Sequence, residues 1–351
     1  LTAEQARLAA MFDRYPRLQV VGGAGTGKTW LALEVARRRA REGKRVALLC
    51  YSRGLGRYLQ RITSEWSARD RPAYVGLFHE LAHAWGAPRP EGEPPSDFWE
   101  ETLPAALREL ASATPLEKRF DAIVVDEAQD FGDPWWLSTL ACLRDPADGG
   151  LFVFLDEEQK VFARDGAAPI DVPPVTLTEN LRSTKQIAQL SGALRTDTVT
   201  PRGGAGAPVR VVESSFEDAI DRADEVLDAL LDEGWEPGRL ALLTTGSRHP
   251  MQHEVVSHHG YAGYWDEFFA ETDVFYGHVL GFKGLERTVV VLAVNGFREG
   301  EDEDYARRLL YTGISRARML LVVVGPRGEL ERVGGEAVRR RLADAEEWEL
   351  A

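Results

Sequence analysis

Residues 20–29 read Val20-Val21-Gly22-Gly23-Ala24-Gly25-Thr26-Gly27-Lys28-Thr29 and fit the pattern G-x-x-x-x-G-K-[ST]. An apolar run at residues 18–21 precedes the loop and a helical pattern at residues 30–41 follows it, so strand, glycine loop and helix come in the required order. The glycines let backbone N–H groups turn toward one point, where the helix N-terminus adds its dipole. We therefore expect a nucleoside triphosphate site, because a glycine-rich turn that binds nothing leaves this order unexplained.

Two side chains of the loop have the chemistry that such a site needs. Lys28 can reach the β- and γ-phosphates, and the Thr29 hydroxyl can bind Mg²⁺. The only asparagines, Asn180 and Asn295, lie outside any N-K-x-D guanine-reading motif. The expected ligands are therefore ATP and Mg²⁺ rather than GTP.

The formal net charge of −14 over 351 residues argues, taken alone, against a nucleic-acid-binding protein. The charge is uneven, however, because arginine and lysine cluster at residues 37–45 whereas aspartate and glutamate crowd residues 217–236 and 299–304. Salt screening keeps distant acidic patches from cancelling a local basic groove. The overall charge therefore does not exclude a nucleic-acid-binding function.

Two cysteines, Cys50 and Cys142, are too few for a disulfide framework, so we expect small core residues in a reducing, cytoplasmic compartment. The apolar runs at residues 288–294 and 319–324 are too short to span a bilayer, and no signal-peptide pattern is recognised. We expect no membrane partner. Because the sequence starts with Leu1 rather than Met, we expect a missing N-terminal or partner domain.

Short apolar runs alternate with helical patterns, which predicts α/β domains with mainly parallel sheets. The predicted strands are residues 18–21, 45–50, 73–75, 122–125, 151–155, 175–178, 209–212, 240–244, 288–294 and 319–324. The predicted helices are residues 2–14, 30–41, 53–62, 76–85, 97–112 and 216–233. Prolines at 169, 173 and 174 indicate a boundary, so the predicted domains are residues 1–174 and 175–351.

An apolar strand at residues 122–125 leads into Asp126-Glu127-Ala128-Gln129-Asp130. Asp126 can hold Mg²⁺, and Glu127 can orient and deprotonate an attacking water. The alternative is an acidic helix N-terminus that caps a dipole. That alternative does not explain a carboxylate pair at a strand end after a phosphate loop, so we favour the catalytic interpretation.

Two arginines in the second half are candidates for charge stabilisation. Arg182 lies within residues 177–183 and Arg316 within residues 310–318. Either arginine in isolation is most simply a surface residue. Phosphoryl transfer, however, benefits from cations that meet the charge developing on the γ-phosphate.

With these motifs in place, the chain resembles the UvrD/PcrA/Rep-like superfamily 1 DNA helicases. The matching segments follow the order of that family from residue 1 to about residue 325. They are residues 1–5 (Q motif), 22–29 (I), 49–53 (Ia), 126–130 (II), 155–159 (III), 180–183 (IV), 283–286 (V) and 311–318 (VI). The resemblance implies two tandem RecA-like P-loop domains with a nucleotide in the cleft between them.

The resemblance also implies roles at the nucleotide. Lys28, Asp126, Glu127, Gln159, Arg182 and Arg316 would be catalytic, with Gln159 sensing the γ-phosphate and the two arginines clamping it. The loop residues Gly22, Gly23, Ala24, Gly25, Thr26 and Gly27 would cradle phosphate, and Thr29 and Asp126 would hold Mg²⁺. Gln5 would read the adenine edge, although its spacing from Thr2 fits a helix capping box equally well. Glu286 would contact the ribose.

The implied DNA contacts depart further from the family. Tyr51 would stack on a base, with a core aromatic as the alternative, and His79 would lie beside the DNA path. Arg164 stands where the family has a base-stacking tryptophan, and Lys283 would lie near the strand. Leu181 replaces the usual adenine-stacking tyrosine, so Trp30 is the expected adenine platform instead. Leu280 replaces a family histidine.

The spacing between motifs is too short for the two large accessory insertions of the family. We therefore expect a core motor that hydrolyses ATP to move on single-stranded or tailed DNA, in the 3′→5′ direction by resemblance. The alternative is an ATP-gated regulatory module that controls a fused or bound effector, such as a nuclease, without processive unwinding.

A different class of enzyme is suggested by His79-Glu80-Leu81-Ala82-His83, which matches H-E-x-x-H. Glu100 or Glu101 would supply a third zinc ligand. Five matching residues weigh less than eight ordered motifs. A second histidine group at residues 249–259 is better explained as an exposed loop or helix face.

Overall fold

The computed structural model describes residues 2–90, 92, 94–95, 97–161, 164, 166–171, 173–298, 300 and 302–350. The chain divides into two compact units. Unit 1 comprises Leu1–Gly23 and Gly27–Leu177, and unit 2 comprises Ala24–Thr26 and Thr178–Ala351. Each unit is built on a six-stranded sheet whose neighbouring strands are all parallel. The predicted α/β class with mainly parallel sheets is confirmed in both units.

Unit 1 carries the carboxylate pair and both ends of the glycine loop, whereas residues 24–26 of the loop are grouped with unit 2. Its helices are α1 (Ala3–Met11), α2 (Lys28–Arg41), α3 (Arg53–Ser64), α4 (Phe78–Ala84), α5 (Leu103–Ala113) and α6 (Asp133–Ala141). Its strands are β1 (Arg17–Gly22), β2 (Val46–Cys50), β3 (Tyr74–Leu77), β4 (Ala122–Val125), β5 (Gly150–Leu155) and β6 (Val175–Leu177). Their order in the sheet is β3-β2-β4-β5-β1-β6.

Strands β2, β4 and β5 of unit 1 are buried on both faces, as expected for a parallel sheet covered by helices. Alternate side chains point to opposite sides, so Ile123 and Val125 pack with α4, α5 and α6. Val124 packs on the other side with α1, α2 and α3. Each fully buried side chain of this kind contributes about 1.5–3 kcal/mol. The two cores therefore fix the sheet and hence the positions of its strand ends.

Unit 2 repeats the architecture with different connections. Its helices are α7 (Lys185–Gly192), α8 (Ala219–Asp232), α9 (Pro250–Ala270), α10 (Glu303–Ile314) and α11 (Arg327–Ala343). Its strands are β7 (Glu179–Asn180), β8 (Thr200–Pro201), β9 (Arg210–Glu213), β10 (Leu240–Thr244), β11 (Phe275–His278), β12 (Arg287–Ala293), β13 (Ala317–Gly325) and β14 (Glu346–Glu347). The sheet order is β11-β10-β12-β13-β9-β14, while β7 and β8 pair separately. The apolar side of α8 packs on this sheet.

The structure differs from the sequence analysis at several elements. Strand β6 pairs with β1, so unit 1 continues through Leu177, past the boundary that the prolines indicate. The predicted helix at residues 97–112 begins instead as a π-helix, Phe98–Thr102, and continues as α5. No helix is predicted from the sequence for the segments of α6, α7, α9, α10 and α11. In α9 and α11 the helical pattern is interrupted by Gly260 and Gly335, whose backbone is non-helical.

Two smaller expectations concern the cysteines and the membrane. Cys50 and Cys142 are free and buried, as expected for core residues. Within the described part of the chain, every helix is too short or too polar to cross a bilayer.

Candidate functional site

Strands β4, β5 and β1 are consecutive neighbours in the sheet of unit 1. Val125 lies opposite Val153, and Leu155 lies opposite Val21. Because parallel strands end at the same edge, the glycine loop after β1, the Asp126–Glu127 pair after β4 and the Asp156 segment after β5 come together there. Ligands of open α/β sheets bind at this carboxyl edge.

The glycine loop has the left-handed backbone that its sequence predicts. Gly25 has φ +76°, and Gly27, the N-cap of α2, has φ +91°. Lys28 is buried, and its ammonium donates to the carbonyl oxygens of Gly22 at 2.7 Å and Gly23 at 3.0 Å. The charge of Lys28 therefore lies over its own loop. Phosphate oxygens would take the place of these two carbonyl acceptors.

Gln5 has surroundings that fit both roles considered from the sequence, the helix cap and the contact with the nucleotide. Its side-chain oxygen accepts from the backbone N–H of Thr2, and the Thr2 hydroxyl accepts from the backbone N–H of Gln5, which completes the capping box of α1. Gln5 is also beside the glycine loop, since a Cβ added at Gly27 would lie 2.3 Å from Gln5 Nε2. The cap thus fixes the amide at the loop. Its contact with adenine stays a prediction.

Gly27→Ala is expected to destabilise unit 1 and weaken nucleotide binding. The left-handed backbone costs alanine roughly 1–2 kcal/mol. The contact with Gln5 Nε2 adds to this cost. Gly43→Ala is the matched control, because Gly43 has φ +81° and an added Cβ would meet nothing within 4 Å. Urea unfolding would compare the two variants, and equal losses of stability would show that Gln5 does not restrict the loop.

Asp126 is fully buried directly after β4. Burial, together with the charge of Glu127, raises the pKa of Asp126 to about 7, against the effects of a hydrogen bond with Thr29 and the charge of Lys28. Asp126 Oδ1 accepts from the Glu127 N–H, whereas Oδ2 is buried without a hydrogen-bond partner among the described residues. A divalent cation would satisfy this oxygen and offset the repulsion. Asp126 and Thr29 therefore fit Mg²⁺ chemically.

Glu127 is held in a strained backbone conformation. Its φ of +54° and ψ of +45° lie in the left-handed region, which non-glycine residues rarely adopt. Such strain costs about 1–3 kcal/mol and persists only where the surroundings fix it. The turn between β4 and the short 3₁₀ helix Ala128–Asp130 imposes it here. Strain of this kind clusters at functional sites, which supports a role for Glu127.

A chain of buried hydrogen bonds joins Glu127 to the segment after β5. Gln129 Nε2 donates to Glu127 Oε2 at 2.5 Å, and Gln129 Oε1 accepts from the Asp156 N–H at 3.1 Å. Gln159 Nε2 donates to Asp156 Oδ2 at 2.8 Å. The four side chains are buried. The candidate base and the candidate γ-phosphate sensor thus belong to one network, which we call the carboxyl-edge network.

In unit 2, the two candidate arginines meet at Ser315. Arg182 Nη2 donates to the Ser315 carbonyl at 2.6 Å, and Arg316 Nη2 donates to the Ser315 hydroxyl at 2.9 Å. Arg182 also pairs with Glu286 at 3.1 Å. Arg182, Glu286 and Arg316, from the segments assigned to motifs IV, V and VI, therefore lie together in unit 2. Their contacts with nucleotide stay a prediction.

Arg316 is not a surface residue. It is 1% exposed, and it donates further hydrogen bonds to the carbonyls of Thr312 at 2.8 Å and Leu285 at 3.2 Å. These bonds fix the orientation of the guanidinium. Burial therefore rules out the surface interpretation, and the role of Arg316 at the γ-phosphate stays a prediction.

Three of the four predicted DNA contacts lie together in unit 1. The Tyr51 and His79 rings are 5.8 Å apart, and the Arg164 guanidinium carbon is 4.7 Å from the Tyr51 ring centroid. The same carbon is 4.5 Å from the ring centroid of Trp135. The fourth, Lys283, is buried in unit 2. Binding of DNA by these residues stays a prediction.

The remaining predicted positions have simpler surroundings. Trp30 is 44% exposed in the first turn of α2, so its ring is accessible to a ligand. Of the glycine-loop residues, Gly22, Gly23, Ala24 and Thr26 are buried.

The structure does not favour the zinc-hydrolase alternative. No group of three His, Cys, Asp or Glu residues with metal-binding geometry occurs in the described part of the chain. Glu80 pairs with Arg89, and His83 Nδ1 contacts the Ala87 carbonyl at 3.1 Å. Burial is the main cause that lowers the pKa of His79 to about 3. In the second histidine group, His253, His258 and His259 are exposed on α9, as expected for a polar helix face. The expectation is wrong for His249, which is buried before α9 and whose Nε2 contacts Asp224 Oδ2 at 3.1 Å.

Residues 278–324 match the family model of the UvrD-like helicase C-terminal domain. The resemblance to UvrD-like helicases is confirmed. The UvrD-like segment runs from the end of β11 to the end of β13 and contains Lys283, Glu286 and Arg316. No curated protein sequence matches the chain.

Among solved structures, the PRRSV helicase is similar to this chain with a TM-score of 0.48 and 13% identity. The match covers 93% of this chain and 56% of the viral helicase chain. The match therefore spans a little over half the length of that protein.

The sequence missed several residues that the structure brings to these sites. Gln129 and Asp156 lie inside the quoted motifs, but no role was assigned to them. Trp99 and Trp135 pack against the predicted DNA contacts and fall outside every motif quoted above. Only the local richness in tryptophan could have drawn attention to them. Glu100, which the sequence offers only as a zinc ligand, pairs instead with Arg164.

Proposed function

We propose that this chain is an ATP-dependent DNA helicase or translocase motor core that hydrolyses ATP to move on single-stranded DNA. The observation that carries the proposal is the carboxyl-edge network, which joins Glu127 to Gln159 beside the glycine loop. A purely structural acidic turn needs neither a strained glutamate nor a buried carboxyl oxygen that lacks a hydrogen-bond partner among the residues that the structure describes. Because the resemblance to UvrD-like helicases is confirmed, we expect the motor to bind and move along a nucleic acid.

The residues of unit 1 supply binding and proton transfer. Lys28 holds the β- and γ-phosphates, while Thr29 and Asp126 hold Mg²⁺. When bound, Mg²⁺ supplies positive charge that offsets the phosphate oxygens. Glu127 orients a water molecule and accepts its proton, and Gln129 keeps the Glu127 carboxylate in place through its amide.

The proposal assigns Gln159 to detection of the γ-phosphate. Its amide donates to Asp156, which is linked through Gln129 to Glu127. A change at the γ-phosphate would therefore reach both the base and the segment after β5. Arg182 and Arg316 are assigned to the γ-phosphate charge that grows during the reaction. Gln5 and Trp30 are assigned to adenine, and Glu286 to the ribose.

The test is the rate of ATP hydrolysis with and without single-stranded DNA, with single-stranded RNA as a comparison. We expect DNA to stimulate the rate. DNA affinity should also differ between a non-hydrolysable ATP analogue and ADP, measured at fixed salt because phosphate contacts are salt-sensitive. By linkage, DNA must change nucleotide affinity by the same factor.

The outcomes separate the proposal from its alternative. ATP hydrolysis that ignores every single-stranded nucleic acid would contradict a motor and favour the ATP-gated regulatory module. Absence of both ATP binding and hydrolysis would contradict both functions.

A further inference from the structure

The predicted DNA contacts of unit 1 belong to a larger group of side chains. This group, the Arg164 cluster, consists of Tyr51, His79, Trp99, Trp135 and Arg164. The His79 ring packs edge-on against Trp99 at 5.1 Å and Trp135 at 4.7 Å, and the Arg164 guanidinium contacts Tyr51 and Trp135. Aromatic rings beside an arginine are the side chains that bind single-stranded nucleic acid through stacking and phosphate contacts.

Glu100 holds Arg164 at the edge of this cluster. Arg164 Nε donates to both carboxylate oxygens of Glu100, at 3.0 and 2.8 Å, and Arg164 Nη2 donates to Oε1 at 2.6 Å. The Arg164 side chain is 12% exposed and that of Glu100 is 40% exposed. The carboxylate is therefore the solvent-facing partner, and it occupies the side on which a phosphate would approach the guanidinium.

The segment that delivers Glu100 is itself unusual. Phe98–Thr102 is a π-helix, a form that is rare and occurs often at functional sites. Its wide turn places the Trp99 ring in contact with His79 and the Glu100 carboxylate in an ion pair with Arg164. The same turn thus covers two of the predicted DNA contacts, one with a ring and one with a carboxylate.

We propose that Glu100 is an internal substitute for a nucleic-acid phosphate, which a single strand must displace before it reaches Arg164. The proposal rests on the proposed function. A carboxylate and a phosphate both match the planar fork of arginine, so they compete for one site. Displacement of Glu100 would move the π-helical turn and uncover His79 as Trp99 leaves. While the π-helical turn is in place, the pairing of Glu100 with Arg164 would lower the affinity of the chain for DNA.

The test is the affinity of Glu100→Gln for a fluorescein-labelled oligodeoxythymidine of about 16 nucleotides, the upper site size of one single-strand-binding fold. The variant keeps the shape of the side chain but removes the competing charge. We expect binding about tenfold tighter at low salt, the size of one charge-assisted contact. The slope of log affinity against log salt should stay similar, because Arg164 meets the same phosphate in both complexes once Glu100 is displaced.

Glu101→Gln is the matched control, since Glu101 is the exposed neighbour on the same π-helix and its change alters the net charge equally. It should bind the oligonucleotide within about twofold of the unmodified chain, as expected for an exposed charge. In an Arg164→Met background the effect of Glu100→Gln should vanish, because the two residues act as a pair. Thermal unfolding checks that each variant is folded. If Glu100→Gln does not fold, Glu100→Asp shortens the reach of the carboxylate and is expected to raise affinity by a smaller factor.

Each outcome bears on a different claim. Equal affinities for the two glutamine variants, or weaker binding by Glu100→Gln, would overturn the role of Glu100 as a competitor. If neither the unmodified chain nor any variant binds single-stranded DNA or RNA, the proposed function fails instead.

Discussion

Glu127→Gln is expected to retain MgATP binding and to hydrolyse ATP about 10²–10⁴-fold more slowly, the usual contribution of a positioned general base. Glutamine keeps the shape of the side chain, and its amide oxygen can still accept the hydrogen bond from Gln129. Glutamine cannot accept the proton of the attacking water. The measurement is single-turnover hydrolysis together with the affinity for a fluorescent ATP analogue.

Glu157→Gln is the control for this experiment. Glu157 follows the end of β5 at the same edge of the sheet, but its side chain is exposed. Its change should leave both binding and hydrolysis unaltered. Near-normal turnover by Glu127→Gln, with the control also normal, would remove Glu127 from the mechanism and leave its strained backbone without a chemical explanation.

The nucleotide half of the candidate site could be predicted because it depends on local sequence. A glycine loop or two acidic residues directly after an apolar run indicate where a parallel strand ends, and hence which edge of the sheet the motif lies at. Once β1, β4 and β5 are neighbours, Lys28, Asp126 and Gln159 must meet at one edge. The order of these three strands was not predicted, but any arrangement that places them side by side gives the same site.

The surroundings of the DNA contacts could not be predicted, because they depend on pairing across long separations. Glu100 and Arg164 are 64 residues apart, and neither belongs to a periodic pattern that indicates a contact. The π-helix adds a second obstacle. An α-helical register over residues 97–112 gives Trp99 and Glu100 different directions from those that the wide turn imposes.

The boundary between the units was also misplaced because it depends on strand pairing, which the local sequence does not reveal. Prolines at 169, 173 and 174 indicate a break, yet they precede a strand that belongs to unit 1. Proline fixes φ and removes a donor, but it does not determine which sheet the next strand joins. Val175–Leu177 joins the first sheet because β1 offers an open neighbour position.

Arg316→Ala is expected to retain ATP binding and to lose about 10³–10⁵-fold in hydrolysis, the range for an arginine that stabilises transferring phosphate. Its guanidinium is buried and oriented by Ser315, Thr312 and Leu285. Alanine would also leave buried carbonyl groups with fewer donors, at about 1–3 kcal/mol each. Hydrolysis must therefore be measured at a temperature where the variant is folded, with circular dichroism as the check.

Arg287→Ala is the control that distinguishes a direct effect of Arg316 on hydrolysis from the destabilisation caused by removing a buried arginine. Arg287 is also buried in unit 2, where it donates to the Phe268 carbonyl and pairs with Glu271, but it has no predicted role at the nucleotide. Its removal should lower stability and leave hydrolysis by the folded protein nearly unchanged. Arg316→Lys retains the charge without the planar fork and should recover only part of the rate. If Arg287→Ala slows hydrolysis as much as Arg316→Ala, the effect at residue 316 comes from the folding of unit 2, and Arg316 has no direct part in the reaction.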